Sequence, residues 1–100
     1  MFNSADFMVE VYDIVAQIPS GCVLSYGCVA ELAGSPNHSR LVGRAMREAP
    51  LSLGLPCHRV VAANGRTVPG WHQQAMLLMS EGVRFKKNGC VDMYAHLWRP

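Results

Sequence analysis

The stretch LPCHRVVAANG, Leu55 to Gly65, sets a thiol, an imidazole and a guanidinium side by side at Cys57, His58 and Arg59. The thiolate is the nucleophilic form of cysteine, and a neighbouring imidazole or guanidinium lowers the thiol pKa. The trio therefore suits covalent chemistry, with Cys57 as acceptor and His58 as base. Strand geometry opposes the simplest version, because neighbours in a regular strand point to opposite faces and could not touch. Pro56 removes a backbone donor and restricts Leu55, so a turn at Cys57 is an equal possibility, and a water can bridge the two side chains. A third group would then have to orient the histidine, and only 7 Asp and Glu residues are available to do so. On these residues alone, a reactive Cys57 and a packed core cysteine both stand. Cys22, Cys28 and Cys90 lack such neighbours and are expected to be buried.

A second chemistry lies upstream. In SPNHSRLVGRAMREAP, Arg40, Arg44 and Arg47 fall at i, i+4 and i+7, which places them on one face of a helix. None has an acidic residue one turn N-terminal to it, so the stripe fits phosphates better than intrahelical pairing. His38, His58, His72 and His96 form no i, i+4 pair and the cysteines show no ligand spacing, so neither a metal nor a cofactor is expected.

These groups must be carried by a small fold. One hundred residues, half of them hydrophobic and 16% charged, suit one globular domain spanning 1–100. The net charge of +2 is too small by itself to prove a polyanionic partner. Phe7, Met8, Val11, Tyr12, Ile14, Val15 and Ile18 recur at helical spacing, with Asn3 or Ser4 as N-cap and Pro19-Ser20-Gly21 as the stop. After Val23 and Leu24, Ser25 can cap a second helix that Gly34 ends. Pro36 restarts the chain into a third helix, to about Glu48, with an apolar stripe of Leu41, Val42, Ala45 and Met46. Two short helices around a glycine turn make a helix-turn-helix, and the arginines ride its second helix. HRVVAANGRTV reads as a hairpin turning at Asn64-Gly65, with both residues at positive φ. Gly70 to Glu81 reads as helix, with Trp71 docking it on the core, and the tail carries a second Asn-Gly turn. No signal peptide or membrane-length apolar run is seen, and the cysteines do not form a secreted disulfide pattern. A reduced, cytoplasmic monomer without membrane contact is the expectation.

LPCHRVV resembles the active-site motif of the alkylguanine-DNA alkyltransferases, which move an alkyl group from the 6-oxygen of guanine in DNA to their own cysteine. LSYGCVAELAGSPNHSRLVGRAMREAP resembles that family's helix-turn-helix, and LLMSEG the segment carrying its glutamate. The likeness runs from about Ile18 to Phe85. It implies an α+β, mainly α fold: a winged helix-turn-helix-like alkyltransferase C-terminal domain with a small β-hairpin. The partner it implies is double-stranded DNA carrying alkylated guanine. Cys57 would accept the alkyl group, His58 would act as base through a water, and Glu81 would orient His58. Tyr26 would crowd the phosphate beside the lesion, and Arg40 would fill the stack left by the rotated nucleotide. Arg44 and Arg47 would contact phosphates or the minor groove, and Ser39 and Gly43 would let the helix approach closely. The carbonyls of Cys57 and Val60 would face the guanine edge.

Three departures stand beside the match. Ala49 replaces an asparagine that ties the recognition helix to the active site in that family. The loop over the guanine pocket is shortened to RTVPGWHQQ, without the family's serine and tyrosine, and Trp71 and His72 offer replacement walls. The tail HLWRP resembles the short alkyltransferase-like proteins, which bind the damaged base without repairing it and pass the site to nucleotide excision repair. Two functions follow: a single-turnover methylated-DNA–protein-cysteine methyltransferase, favoured by the intact Cys57, His58 and Glu81, and a non-enzymatic lesion sensor. A winged-helix regulator would use the arginines but leave the Cys-His-Glu set unexplained.

Overall fold

The computed structural model describes all residues, Met1 to Pro100. Helix α1 spans Ser4–Ala16, and the Asn3 side chain accepts from the N–H groups of Ala5 and Asp6, satisfying two donors that the first turn cannot pair. Its inward residues Phe7, Val11 and Val15 are buried, as the spacing predicts. Ser25 caps α2 (Tyr26–Leu32) by accepting from Cys28 N–H at 3.1 Å. Gly34, at φ +85°, lets Ser35 N–H reach back to the Ala30 carbonyl, which closes the helix. A 3₁₀ turn at Pro36–His38 leads into α3 (Ser39–Glu48), which buries Val42 and Ala45 and leaves Arg40, Arg44 and Arg47 exposed. The Tyr12 hydroxyl donates to the Ala45 carbonyl at 3.3 Å and ties α3 to α1.

Two very short strands, β1 (Leu24–Ser25) and β2 (Val60–Val61), pair in parallel, with Leu24 opposite Val60 and Ser25 opposite Val61. Side chains alternate along a strand, so this small sheet separates two cores. Leu24 and Val60 join Phe7, Val11, Val15, Val29 and Val42 on one side. Val23 and Val61 join Leu78, Val83 and Val91 on the other. The pairing anchors β2, and the Cys57–Arg59 turn directly before it, against the helix-turn-helix half.

The expected hairpin does not form. After Val61 the chain closes a narrow turn through Ala62 N–H to the Arg66 carbonyl, and no second strand follows, since β2 pairs only with β1. Gly65 takes φ +88° as the turn requires, and a Cβ there would collide with the Val91 backbone. Asn64 does not share that conformation, since no non-glycine residue has positive φ. The second Asn-Gly turn is present, closing an antiparallel bridge between Phe85 and Val91. Beyond it, α5 (Met93–His96) leads to a parallel bridge of Leu97 with Val23. Helix α4 spans His72–Ser80 and buries Gln74 and Leu78, while Leu77 and Met79 stay exposed. No helix is long and apolar enough to cross a membrane. Cys22, Cys28 and Cys90, expected inside, are only partly buried, because valines fill both interiors and Cys22 and Cys28 sit at the margin of the first.

Candidate nucleic-acid interface and thiol site

Cys57, His58 and Arg59 form a 3₁₀ turn rather than strand positions, which removes the geometric objection raised by strand alternation. Pro56 starts the turn, Arg59 N–H donates to the Pro56 carbonyl at 2.9 Å, and Val60 N–H donates to the Cys57 carbonyl. His58 meets Glu81 through Nε2 and Oε2 at 2.9 Å. The guanidinium of Arg59 grips the same carboxylate twice, Nε to Oε1 at 3.0 Å and Nη2 to Oε2 at 2.7 Å. Its Nη1 donates to the Ile18 carbonyl at 2.7 Å. Arg59 thus ties the Cys57–Arg59 turn to the end of α4 and to the chain following α1.

Glu81 sits at the C-cap of α4, where the helix dipole disfavours a negative charge. The hydrogen-bonded Arg59 outweighs that effect and the burial, and with His58 it holds the carboxyl down at about 2. Against an ionised Glu81, the His58 Nε2 carries the proton and donates, which leaves Nδ1 as the acceptor. Arg59 was read from sequence as a group that tunes the thiol, but its charge is spent on Glu81. Accordingly the Cys57 thiol is not lowered: burial pushes it up, and its own backbone hydrogen bond offsets this only in part.

Cys57 lines a cavity of about 510 Å³ with Tyr26, Gly43, Met46, Arg47, Val68 and Trp71. That size is typical of small-ligand pockets. Trp71, expected to dock α4 on the core, is a wall of this cavity instead, while His72 lies outside it. Burial pushes the Tyr26 phenol up, opposed by nearby Arg47 and reinforced by nearby Cys57. The cavity shares Tyr26, Gly43, Arg47 and Val68 with an adjoining groove of about 570 Å³ between α3 and the loop after β2. Ser39 and Arg40 line the groove on the α3 side, and Arg66, which sequence reading passed over, faces them from the loop. No carboxylate lines it, so the groove is cationic on both walls.

The arrangement sorts the remaining expected residues. Arg40 and Arg47 reach the groove, whereas Arg44 turns to Glu48, one turn C-terminal, with Nε to Oε2 at 2.9 Å. A Cβ on Gly43 would meet its nearest atoms at 3.7 Å and 4.0 Å, ordinary contacts, so internal packing does not demand glycine there. Its missing side chain matters only to something outside. The Val60 side chain is buried in the core, its carbonyl accepts from Gln74 Nε2 at 3.1 Å, and the residue lines neither the cavity nor the groove. Ala49 ends α3 without a side chain that could reach the thiol turn, and the hydrogen bonds of the following Pro50–Gly54 segment are local.

The family model for the DNA-binding domain of 6-O-methylguanine DNA methyltransferase matches residues 6–83. A DNA base-flipping protein of Escherichia coli K12 is 41% identical, over 98% of this chain and 78% of that protein. A methylated-DNA–protein-cysteine methyltransferase of Cricetulus griseus is 33% identical over 93% of this chain, which spans only 47% of that protein. The fold is similar to the crystal structure of S. pombe Atl1 in complex with damaged DNA containing O6-carboxymethylguanine. There the TM-score is 0.87 at 30% identity, covering 99% of this chain and all of that one.

Proposed function

The chain belongs to the 6-O-methylguanine DNA methyltransferase family through its DNA-binding domain, and we propose that it binds duplex DNA, turns 6-O-alkylguanine into the Cys57 cavity and takes the alkyl group onto that thiol. The family places it among DNA-binding proteins of DNA repair. The reading rests chiefly on one observation: Cys57 lines the cavity that opens from the arginine groove, and the next residue, His58, is held by a carboxylate.

In this reading α3 lies in the minor groove, with Ser39 and Gly43 at the close approach and Arg40 entering the vacated stack. Tyr26 stands at the mouth, common to groove and cavity, and crowds the phosphate as the nucleotide rotates. Arg47 and Arg66 neutralise phosphates from the two walls, and Arg44 adds a weaker contact from the flank. The Cys57 and Val60 carbonyls accept from the guanine edge. His58 Nδ1 takes the thiol proton through a water, Sγ attacks the alkyl carbon, and the carbon–oxygen bond breaks. The electron pair stays on the guanine 6-oxygen, and the proton held by His58 restores neutral guanine. The thioether has no route back to a thiol, so each molecule reacts once. Because burial raises the thiol pKa, the proton relay rather than a standing thiolate must supply the nucleophile.

A second reading has specific support. The raised thiol, the missing tether at Ala49 and the 41% identity to a DNA base-flipping protein all suit a sensor that binds the lesion and leaves its removal to excision proteins. Intact-mass spectrometry after incubation with duplex DNA containing 6-O-methylguanine separates the two. A single methyl gained by the wild type and not by Cys57→Ala supports transfer. Lesion-selective binding with no mass gain leaves the sensor.

A further inference from the structure

Gln74 is the only polar residue wholly removed from solvent, at 0% exposure, and it belongs to neither the thiol site nor the arginine face. Its side chain makes three hydrogen bonds, all to backbone. Oε1 accepts from Val68 N–H at 2.7 Å, and Nε2 donates to the carbonyls of His58 and Val60, both at 3.1 Å. The donors and acceptor of this one amide therefore join three segments: α4, the active turn leading into β2, and the shortened loop. Val68 is a wall of both groove and cavity, and its carbonyl also fixes where Trp71 stands, accepting from Trp71 N–H at 3.2 Å.

We infer that Gln74 is a positioning residue for lesion recognition: it holds the Val68–Trp71 wall at a set distance from the Cys57–Val60 turn and aims the Val60 carbonyl. The inference rests on the proposal that a flipped base enters this cavity. No other side chain can replace the amide. A carboxylate would set an acceptor against two carbonyls, and an apolar residue would leave two carbonyls and one N–H unpaired in the interior. The amide matters for geometry beyond packing, because the loop carries no strand pairing of its own and its link to the active turn runs through this side chain.

Gln74→Met, which keeps length and removes hydrogen bonding, and Gln74→Glu, which keeps shape and reverses the donor, are compared with wild type in two measurements on the full chain. The first is amide hydrogen exchange at Val68, expected to quicken about tenfold or more in Gln74→Met, which lacks the acceptor, and less in Gln74→Glu, which keeps it, while the α1 amides keep their protection. The second is the ratio of affinities for a 6-O-methylguanine duplex and the undamaged duplex. It is expected to fall about fivefold to tenfold, with affinity for undamaged DNA falling less than affinity for the lesion, since the α3 arginines do not touch Gln74 and only Arg66 rides the released loop. Unchanged Val68 exchange, or a parallel loss of both affinities tracking lost folding, overturns the inference. A wild type without lesion preference defeats the alkylguanine reading instead, and the exchange measurement then decides the clamp by itself.

Discussion

The two charged regions of the molecule are built in contrasting ways. Along α3, Arg40 and Arg47 enter the groove without a protein partner, and Arg44 has only Glu48, with side-chain exposures of 61% and 53% for that pair. Around Glu81, a histidine and an arginine converge on one carboxylate, and all three side chains are 14–18% exposed. Exposed charges on long side chains are weakly ordered and screened by salt, which suits a surface that must meet phosphates wherever the duplex presents them. A largely desolvated, multiply bonded cluster is rigid and costly to disturb, which suits a group that must hold one imidazole in one tautomer. Substitutions should therefore alter binding at the first region with little change in stability, and alter both stability and chemistry at the second.

The largest effect is expected from Glu81→Ala. It leaves the Arg59 charge without its partner and His58 without its acceptor, and should cost roughly 2–4 kcal/mol in denaturant unfolding. If the thiol is alkylated in the wild type, the methylation rate should also fall by about 100-fold, because the imidazole loses both orientation and tautomer. A stability loss below about 0.5 kcal/mol would show that the cluster is no more ordered than the arginine face, and the contrast would fail.

Arg59→Met tests how the cluster is held. Glu81 has its carboxyl at about 2 against an ordinary value of 4.5. A depressed carboxyl stabilises the fold above its unfolded value, and that contribution is lost as pH falls from 4.5 toward about 2. Without Arg59, the largest cause of the depression is gone, so the melting temperature should drop at pH 7 and fall less steeply between pH 4.5 and pH 2. An acid limb as steep as that of wild type would assign the depression to His58 instead.

The same contrast explains what could be read from the residues alone. Helices α1 to α3 declare themselves because their apolar positions repeat every three to four residues and because Asn3, Ser25 and Gly34 mark their ends. The two-residue strands have no room for a period, and their parallel pairing joins segments more than thirty positions apart, so VVAANGRTV suggested a hairpin that the chain does not make. In α4 the buried face is Gln74 and Leu78, and a glutamine is not a hydrophobic signal. Glu81 was reached only through family resemblance. Nearness in sequence suggests that Arg59 tunes Cys57, but it says nothing about a carboxylate 22 residues away. Arg66 had only its place after an Asn-Gly turn to mark it, and its role depends on the loop facing α3.

At the exposed region, Arg40→Ala and Arg47→Ala should each leave stability within about 0.5 kcal/mol of wild type. Each should weaken duplex binding by about tenfold at low salt and reduce the slope of log affinity against log salt by about 1 if the residue neutralises a phosphate. Arg40 can be told from Arg47 by substrate. A residue that fills a vacated stack should matter more for a damaged duplex than for a single strand, whereas a phosphate contact should weaken both alike. Equal losses for Arg40→Ala on the two substrates would make it a phosphate contact and leave the stack to another side chain.

Glu48→Gln should have the smallest effect and has the opposite sign. The Arg44–Glu48 pair runs with arginine N-terminal to the carboxylate, the less favourable order on a helix, and both groups are more than half exposed. Its loss should cost no more than about 0.5 kcal/mol. Removing the carboxylate also frees the guanidinium of Arg44 at the groove's flank and takes one negative charge from α3, so affinity for any duplex should rise about twofold to threefold at low salt. The gain should vanish at high salt and should be absent in the double variant Arg44→Ala, Glu48→Gln if Arg44 is its source. A gain that survives in the double variant would show that Glu48 repels the duplex directly, and that Arg44 stands apart from the cationic wall formed by Arg40, Arg47 and Arg66.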